Sequence, residues 1–236
     1  MIEIVRTYWL QLLLGYYPEG PLGGLALTLL LAVGGLLLTV PAALAMLCGL
    51  ASPWKWLRGA FELFVFYVRG VPLVVHLLWA YLLIPMAFGM ATPLWVVLMV
   101  VLVVFNGAYL SQAMLAGIEA VGAGQYDAAR ALGFTRFAAL RAVVLPQALR
   151  NVLPSIVNQL VLLIKETALA SVIGMHELSM EFQRLNENVR DHSADLFALL
   201  GLAYFLLCYP LTMLGRRLER KYRATAFALR ESGAGG

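Results

Sequence analysis

The sequence predicts an all-α membrane protein whose chain crosses the bilayer five times, and three observations carry that prediction. Of its 236 residues, 62% are hydrophobic and 13% charged, whereas a soluble domain carries about a quarter charged and about half apolar residues. Five stretches reach the roughly 20 predominantly apolar residues that a spanning helix needs. No alternating barrel pattern accompanies them, and in lipid only a helix or a closed barrel satisfies the backbone.

The spans are expected near residues 22–50, 60–85, 94–118, 147–174 and 195–215. No short apolar region with a small-residue cleavage site stands near Met1, so the first long run is expected to stay in the mature protein. The second span contains Gly70-Val71-Pro72, where the helix is expected to open. The third begins LWVVLMVVLVVF, β-prone by composition, but continues into NGAYLSQAMLAGI without a turn signal and reads as helix. The fourth follows Leu145-Pro146, and a proline suits a first helical turn because its missing N–H would be unpaired there anyway. The fifth holds Cys208; like Cys48 in the first, it is expected to act as a small hydrophobe, with no metal-ligand spacing nearby.

Orientation follows from the cations. Lys55 and Arg58 lie between spans one and two, Arg130, Arg136 and Arg141 between three and four with Arg150 just beyond, and Arg216, Arg217, Arg220, Lys221, Arg223 and Arg230 after span five. Basic loops stay cytoplasmic, which puts the N-terminus outside and the C-terminus inside. Residues 86–93 carry no charge, and residues 175–195 set Glu177, Glu181, Glu187, Asp191 and Asp195 against Arg184 and Arg190. Topology accounts for the net charge of +4, so no nucleic-acid partner is implied. Leu178, Phe182, Leu185 and Val189 recur at helical spacing and predict a short helix on the outer surface, either a solvated connector capping the bundle or a face for an extracytoplasmic partner.

Residues 122–146 are polar and basic between two apolar spans. From Asp127 they read Asp-Ala-Ala, three residues, Gly133, nine residues, Val143, one residue, Leu145-Pro146. This resembles the EAA signature of ABC importer permeases (Glu-Ala-Ala, three residues, Gly, nine residues, Ile, one residue, Leu-Pro), with Asp for Glu and Val for Ile. Ala128 and Ala129 are small helix formers that let a helix press close to a partner; Gly133 suits a bend or a close backbone approach. Arg69-Gly70-Val71-Pro72-Leu73, Asn106-Gly107-Ala108-Tyr109 and Lys165-Glu166-Thr167-Ala168-Leu169 are similar to the Arg-Gly-Thr-Pro-Leu, Asn-Ser-Gly-Ala-Tyr and Lys-Asp-Thr-Ser-Leu motifs of the polar amino-acid branch, departing at Val71 and by one missing residue before Gly107.

The resemblance covers about residues 20–222. It implies the type I ABC importer transmembrane fold in a single domain, 1–236, multi-pass in the bacterial inner membrane. It also implies that Asp127, Ala128, Ala129, Gly133, Leu145 and Pro146 form a coupling element that meets a dimer of ATP-binding subunits. A second permease subunit, the same or related, and an extracytoplasmic amino-acid-binding protein complete the implied assembly. Residues 72–85 look more like glutamate and aspartate permeases than arginine or histidine ones, a lean toward acidic amino acids.

No lysine here follows a glycine as a phosphate-cradling P-loop requires, so ATP and Mg belong to the partner. No paired carboxylates, Ser-His-Asp set or histidine cluster marks covalent chemistry, and an intramembrane enzyme has no candidate residues. An ion-gradient-driven secondary transporter is the alternative; it needs more spans and an internal repeat, and leaves the Asp-Ala-Ala motif unexplained. Charges at a helix centre cost roughly 2.5–3.5 kcal/mol on insertion scales and are therefore paired or functional. That makes Arg69, His76, Lys165 and Glu166 candidates for the substrate path, with Asn106, Tyr109 and Thr167 as polar partners. Lys165 and Glu166 point about 100° apart on a helix and cannot both meet one partner squarely, so one is expected to serve packing or gating and one to approach the ligand, Glu166 suiting a substrate ammonium and Lys165 a carboxylate. The alternative is a structural charge network that only holds the spans together.

Overall fold

A computed structural model describes residues 2–89, 92–189 and 192–233, with side chains from 6 to 222 apart from residue 88. Arg190 and Asp191, counted above in the outer loop, and the side chains of Arg223 and Arg230 lie outside what is described.

The chain runs α1 (Ile2–Leu14), α2 (Gly24–Leu50), α3 (Lys55–Gly70), α4 (Leu73–Phe88), α5 (Leu94–Glu119), α6 (Ala123–Ala131), α7 (Arg136–Ala139), a π-helical turn (Leu140–Val144), α8 (Leu145–Glu166), a 3₁₀ segment (Thr167–Ile173), α9 (Leu178–Asn188) and α10 (Ser193–Gly233). Among the described residues, four helical runs are long and apolar enough to cross a membrane: α2, α5, the continuous stretch Arg136–Ile173, and Ser193–Tyr222. A fifth crossing requires α3 and α4 together.

The break expected at Gly70-Val71-Pro72 within the 60–85 stretch is present and steep, with α3 and α4 meeting at 103°. The cause is local. Pro72 forces its predecessor out of the helical region, and Val71 is extended at φ −108°, ψ 135°. The 3₁₀ tightening after Glu166 similarly ends the fourth α-helix short of residue 174, while the fifth continues well past 215, carrying Arg216 to Lys221 on one rod.

α2 and α5 form the centre, with α8 against both and α10 against α8. Without water to drive helices together, membrane helices approach through small residues. Ala32, Ala43 and Ala108 are fully buried, and at Gly117 an added Cβ would stand 2.5 Å from Val152 Cγ2. The apolar core joins Leu31, Leu98, Leu102, Leu163 and Ile164.

At the end of the bundle where α9 lies, two findings depart from the sequence expectation. α1 was not anticipated, and it packs on α2 and α9. Glu177 and Glu181, expected on a solvated acidic loop, are fully buried. The apolar stripe does form a helix, but Leu178, Phe182 and Leu185 pack inward against Leu12 and Leu196. Glu177 caps α9 by accepting from Met180 N at 3.0 Å, and takes the Tyr204 hydroxyl on Oε2 at 3.0 Å. Leu178 N donates to Thr28 Oγ1 at 3.1 Å. Burial pushes the Glu177 carboxyl above its ordinary range, outweighing these hydrogen bonds, which pull it down. Glu181 accepts from Gln11 Nε2 at 3.1 Å and from His176 Nδ1 at 3.3 Å. Arg184 Nη2 donates to His176 Nε2 at 2.9 Å, which fixes the tautomer with its proton on Nδ1.

Candidate functional site

The motif segment hangs from the opposite end of the bundle. Its first part is α6, in which Asp127 and Ala128 are exposed and Ala129 is buried. The helix stops at Leu132, and Gly133 turns the chain at φ +88°, a conformation costly for a residue with a Cβ. A Cβ at Gly133 would meet nothing within 4 Å among the described residues, so there the glycine serves the bend. Phe134 N donates to Ala129 O at 3.2 Å, and the Arg130 guanidinium donates to Phe134 O, closing the turn. Thr135 caps α7 through Ala138 N at 3.2 Å. The π turn then leads into α8 with Pro146 in its first turn.

An apolar groove of about 370 Å³ runs along this segment, lined by Ile118, Phe137, Leu140, Val144, Leu145 and Ala148, with Arg141 its sole charged side chain. Arg130, Arg136 and Arg150, on the same stretch of chain, are exposed like Arg141.

The candidates on the spans fall into two groups that each meet α5, and Arg69, Tyr109 and Lys165 among them are exposed. The first surrounds the α3/α4 break. A helix end leaves its last carbonyls without partners, and Tyr109 OH donates to one of them, Arg69 O, at 3.3 Å. The Arg69 guanidinium lies 5.0 Å over the Tyr109 ring. His76 Nδ1 lies 3.2 Å from Pro72 O; a carbonyl only accepts, so Nδ1 carries a proton. Its Nε2 is buried without a hydrogen-bond partner, amid the rings of Tyr67, Trp79 and Phe105.

The second group joins α5 to α8. Asn106 Nδ2 donates to Glu166 Oε2 at 2.6 Å and to Leu102 O at 2.9 Å. Gln159 Nε2 donates to Asn106 Oδ1. Asn106 and Gln159 are 1% and 5% exposed, while Glu166 is half-buried. Lys165 is exposed and forms no ion pair among the described residues. Thr167 is fully buried and its hydroxyl donates to Ile164 O at 2.8 Å, so its donor is used inside its own helix.

Gln159 and the α9 acids were missed from sequence. A glutamine within the apolar run QLVLLI was a usable signal, since polar groups inside a span seek partners.

Comparison with known proteins agrees with this architecture. Residues 41–224 match the model of a family described as binding-protein-dependent transport system inner membrane component. The arginine transport system permease protein ArtQ of Bacillus subtilis is 31% identical over 206 residues, 86% of this chain and 92% of that protein. The glutamine transport system permease protein GlnP of Escherichia coli K12 is 30% identical over 208 residues, 87% and 92% of the two chains. A crystal structure of an amino acid ABC transporter with histidines superposes with a TM-score of 0.77 at 31% identity, covering 84% and 92%. An inward-facing MetNI methionine ABC transporter, 19% identical, shares the fold with a TM-score of 0.65 over 94% and 97%. Membership implies, in general, an ATPase partner and a substrate-binding protein, and it does not favour the secondary-transporter alternative. The chain thus belongs to the family of binding-protein-dependent transport system inner membrane components.

Proposed function

We propose that this chain is the membrane-crossing permease subunit of an ATP-driven amino-acid importer. One observation carries the reading: a continuous helical run of 38 residues, Arg136–Ile173, joins the exposed motif segment to Glu166. At 1.5 Å per residue, Arg136 and Glu166 are about 45 Å apart along it, so a push on one end moves the carboxylate at the other. Asp127, Ala128, Ala129, Gly133, Leu145 and Pro146 are assigned to coupling, against a dimer of ATP-binding subunits that holds ATP and Mg. The basic end of the bundle faces the cytoplasm, and α9 faces the binding protein. A second permease subunit closes the path.

Glu166 takes the substrate ammonium through the oxygen that Asn106 leaves open, and Lys165, Arg69, His76 and Tyr109 line the remaining path. Similarity to permeases named for arginine and glutamine supports an amino-acid cargo. The acidic lean rests on residues 72–85 alone, and Glu166 favours by charge only the ammonium that every amino acid shares.

The test is Glu166→Gln in the assembled complex reconstituted into liposomes with ATPase and binding protein. Uptake should fall or change substrate preference while assembly and basal ATP hydrolysis persist. Unchanged uptake kinetics in a fully assembled variant would exclude Glu166 as a substrate contact, and robust uptake by this chain without an ATPase would overturn the importer reading.

A further inference from the structure

The Asn106 amide is used completely. Both N–H bonds point at acceptors, Leu102 O and Glu166 Oε2, and its carbonyl receives Gln159. Turning the amide over would aim Oδ1 at the Leu102 carbonyl and the Glu166 carboxylate, acceptor against acceptor at both contacts, and would set its NH₂ against the Gln159 donor. The network therefore admits one orientation, and Gln159 is the group that holds it from behind.

Gln159 and Glu166 sit seven residues apart on α8. That separation returns to the same face two turns on, about 10.5 Å along the axis, and Asn106 on α5 bridges them. The chain of donors runs in one direction, from Gln159 through Asn106 into the carboxylate. Hydrogen bonds in series polarise one another, and a bond to an ionised acceptor is stronger than a neutral one. Oε2 of Glu166 is thereby pinned, while Oε1 has no partner among the described residues. A carboxylate fixed by one oxygen and open at the other suits one more cationic donor.

We propose that Gln159 is a positioning residue for substrate binding: it locks the Asn106 amide so that Glu166 presents Oε1 to a primary ammonium group. This rests on the reading of Glu166 given above. Gln159 never touches the ligand, and its effect passes entirely through Glu166.

The experiment uses the purified permease–ATPase complex in lipid nanodiscs without binding protein, so that the binding protein's own affinity does not mask the site. The complex is offered a mixture of the common amino acids, the retained one is identified by mass spectrometry, and its dissociation constant is measured for wild type, Gln159→Met, Glu166→Gln and the double variant. Methionine keeps the length and apolar packing of glutamine and removes the donor. Gln159→Met should weaken binding about 3- to 10-fold, the loss expected for one positioning hydrogen bond. On the Glu166→Gln background it should add less than about twofold, because residues acting through one contact are non-additive. Equal loss on both backgrounds, or lost assembly with an unchanged dissociation constant, overturns the proposal in favour of a packing role. Normal binding by Gln159→Met with impaired Glu166→Gln removes the positioning role alone. Normal binding by Glu166→Gln, or no amino acid retained by wild type, removes the reading beneath it as well.

Discussion

Substituting Gly133 separates two roles that a glycine in a motif can play, a bend and a place of close approach. The residue sits at φ +88°, and among the described residues a Cβ there would meet nothing within 4 Å. Gly133→Ala therefore introduces backbone strain without a clash inside the chain. The left-handed region costs an L-residue roughly 1–2 kcal/mol, equivalent to a factor of about 5–30 in the population of the native turn. Asparagine tolerates that region better than alanine, so Gly133→Asn should lose less, and Gly133→Trp should match alanine if only the bend matters. Amide exchange of residues 123–139 in the assembled complex reads the turn population, and substrate-stimulated ATP hydrolysis reads coupling. The bend requires exchange to accelerate in the order Asn below Ala, with hydrolysis following. Any additional loss in the tryptophan variant measures approach of the ATPase surface. Equal exchange in the glycine, asparagine and alanine proteins would refute the strain argument.

Two further expectations concern the two ends of the bundle. With Cys48 and Cys208 replaced by alanine, single cysteines at the exposed positions Ala123 and Ala194 should label oppositely with a membrane-impermeant reagent applied from outside; reaction at 123 instead of 194 reverses the orientation. Glu177 is held above its ordinary value of 4.5, so α9 docking is most stable below 4.5 and loses stability as pH rises toward the folded-state value, where an undocked carboxyl ionises and the docked one resists. Glu177→Gln cannot ionise and should flatten that dependence, seen as amide exchange of Leu178–Asn188 corrected for intrinsic rates; identical slopes in the two proteins would discard the burial argument.

What the sequence made legible was whatever depends on neighbours along the chain. Apolar run length located four crossings and both halves of the fifth, and the spacing from Asp127 to Pro146 located an exposed helix, bend and helix start. Gly70-Val71-Pro72 announced a break but not its angle of 103°, because local sequence marks where a helix stops and not the direction in which the next one leaves. α1 escaped notice because thirteen residues are too few to span a membrane. Glu177 looked like a solvated loop acid because the groups that make its burial tolerable, Thr28 and Tyr204, come from helices far away in sequence. Gln159 stood out as a polar residue in an apolar run, but its role did not, because its partner Asn106 is 53 positions distant.

The two groups on the spans are mechanically linked through α5. Asn106 and Tyr109 are three residues apart and so neighbours on the helix surface; one grips α8 through Glu166 and the other grips the end of α3 through Arg69 O. These grips are unequal. The first is a bond of 2.6 Å to the Glu166 carboxyl, charge-assisted when that carboxyl is ionised and backed by Gln159; the second is a neutral bond of 3.3 Å, supplemented by the Arg69 guanidinium over the ring. Charge-assisted bonds are about twice as strong as neutral ones. If α7 and α8 receive a displacement, as the proposed coupling role requires, α5 would follow before the Asn106–Glu166 contact breaks, and the contact of Tyr109 with Arg69 would yield first. That point is the α3/α4 joint, where the backbone is already interrupted and two helices at a steep angle can swing without breaking a helical hydrogen-bond ladder. Under the coupling and substrate roles proposed above, opening would be directed to the crossing built from α3 and α4, while the carboxylate assigned to the substrate would stay with its positioning partners.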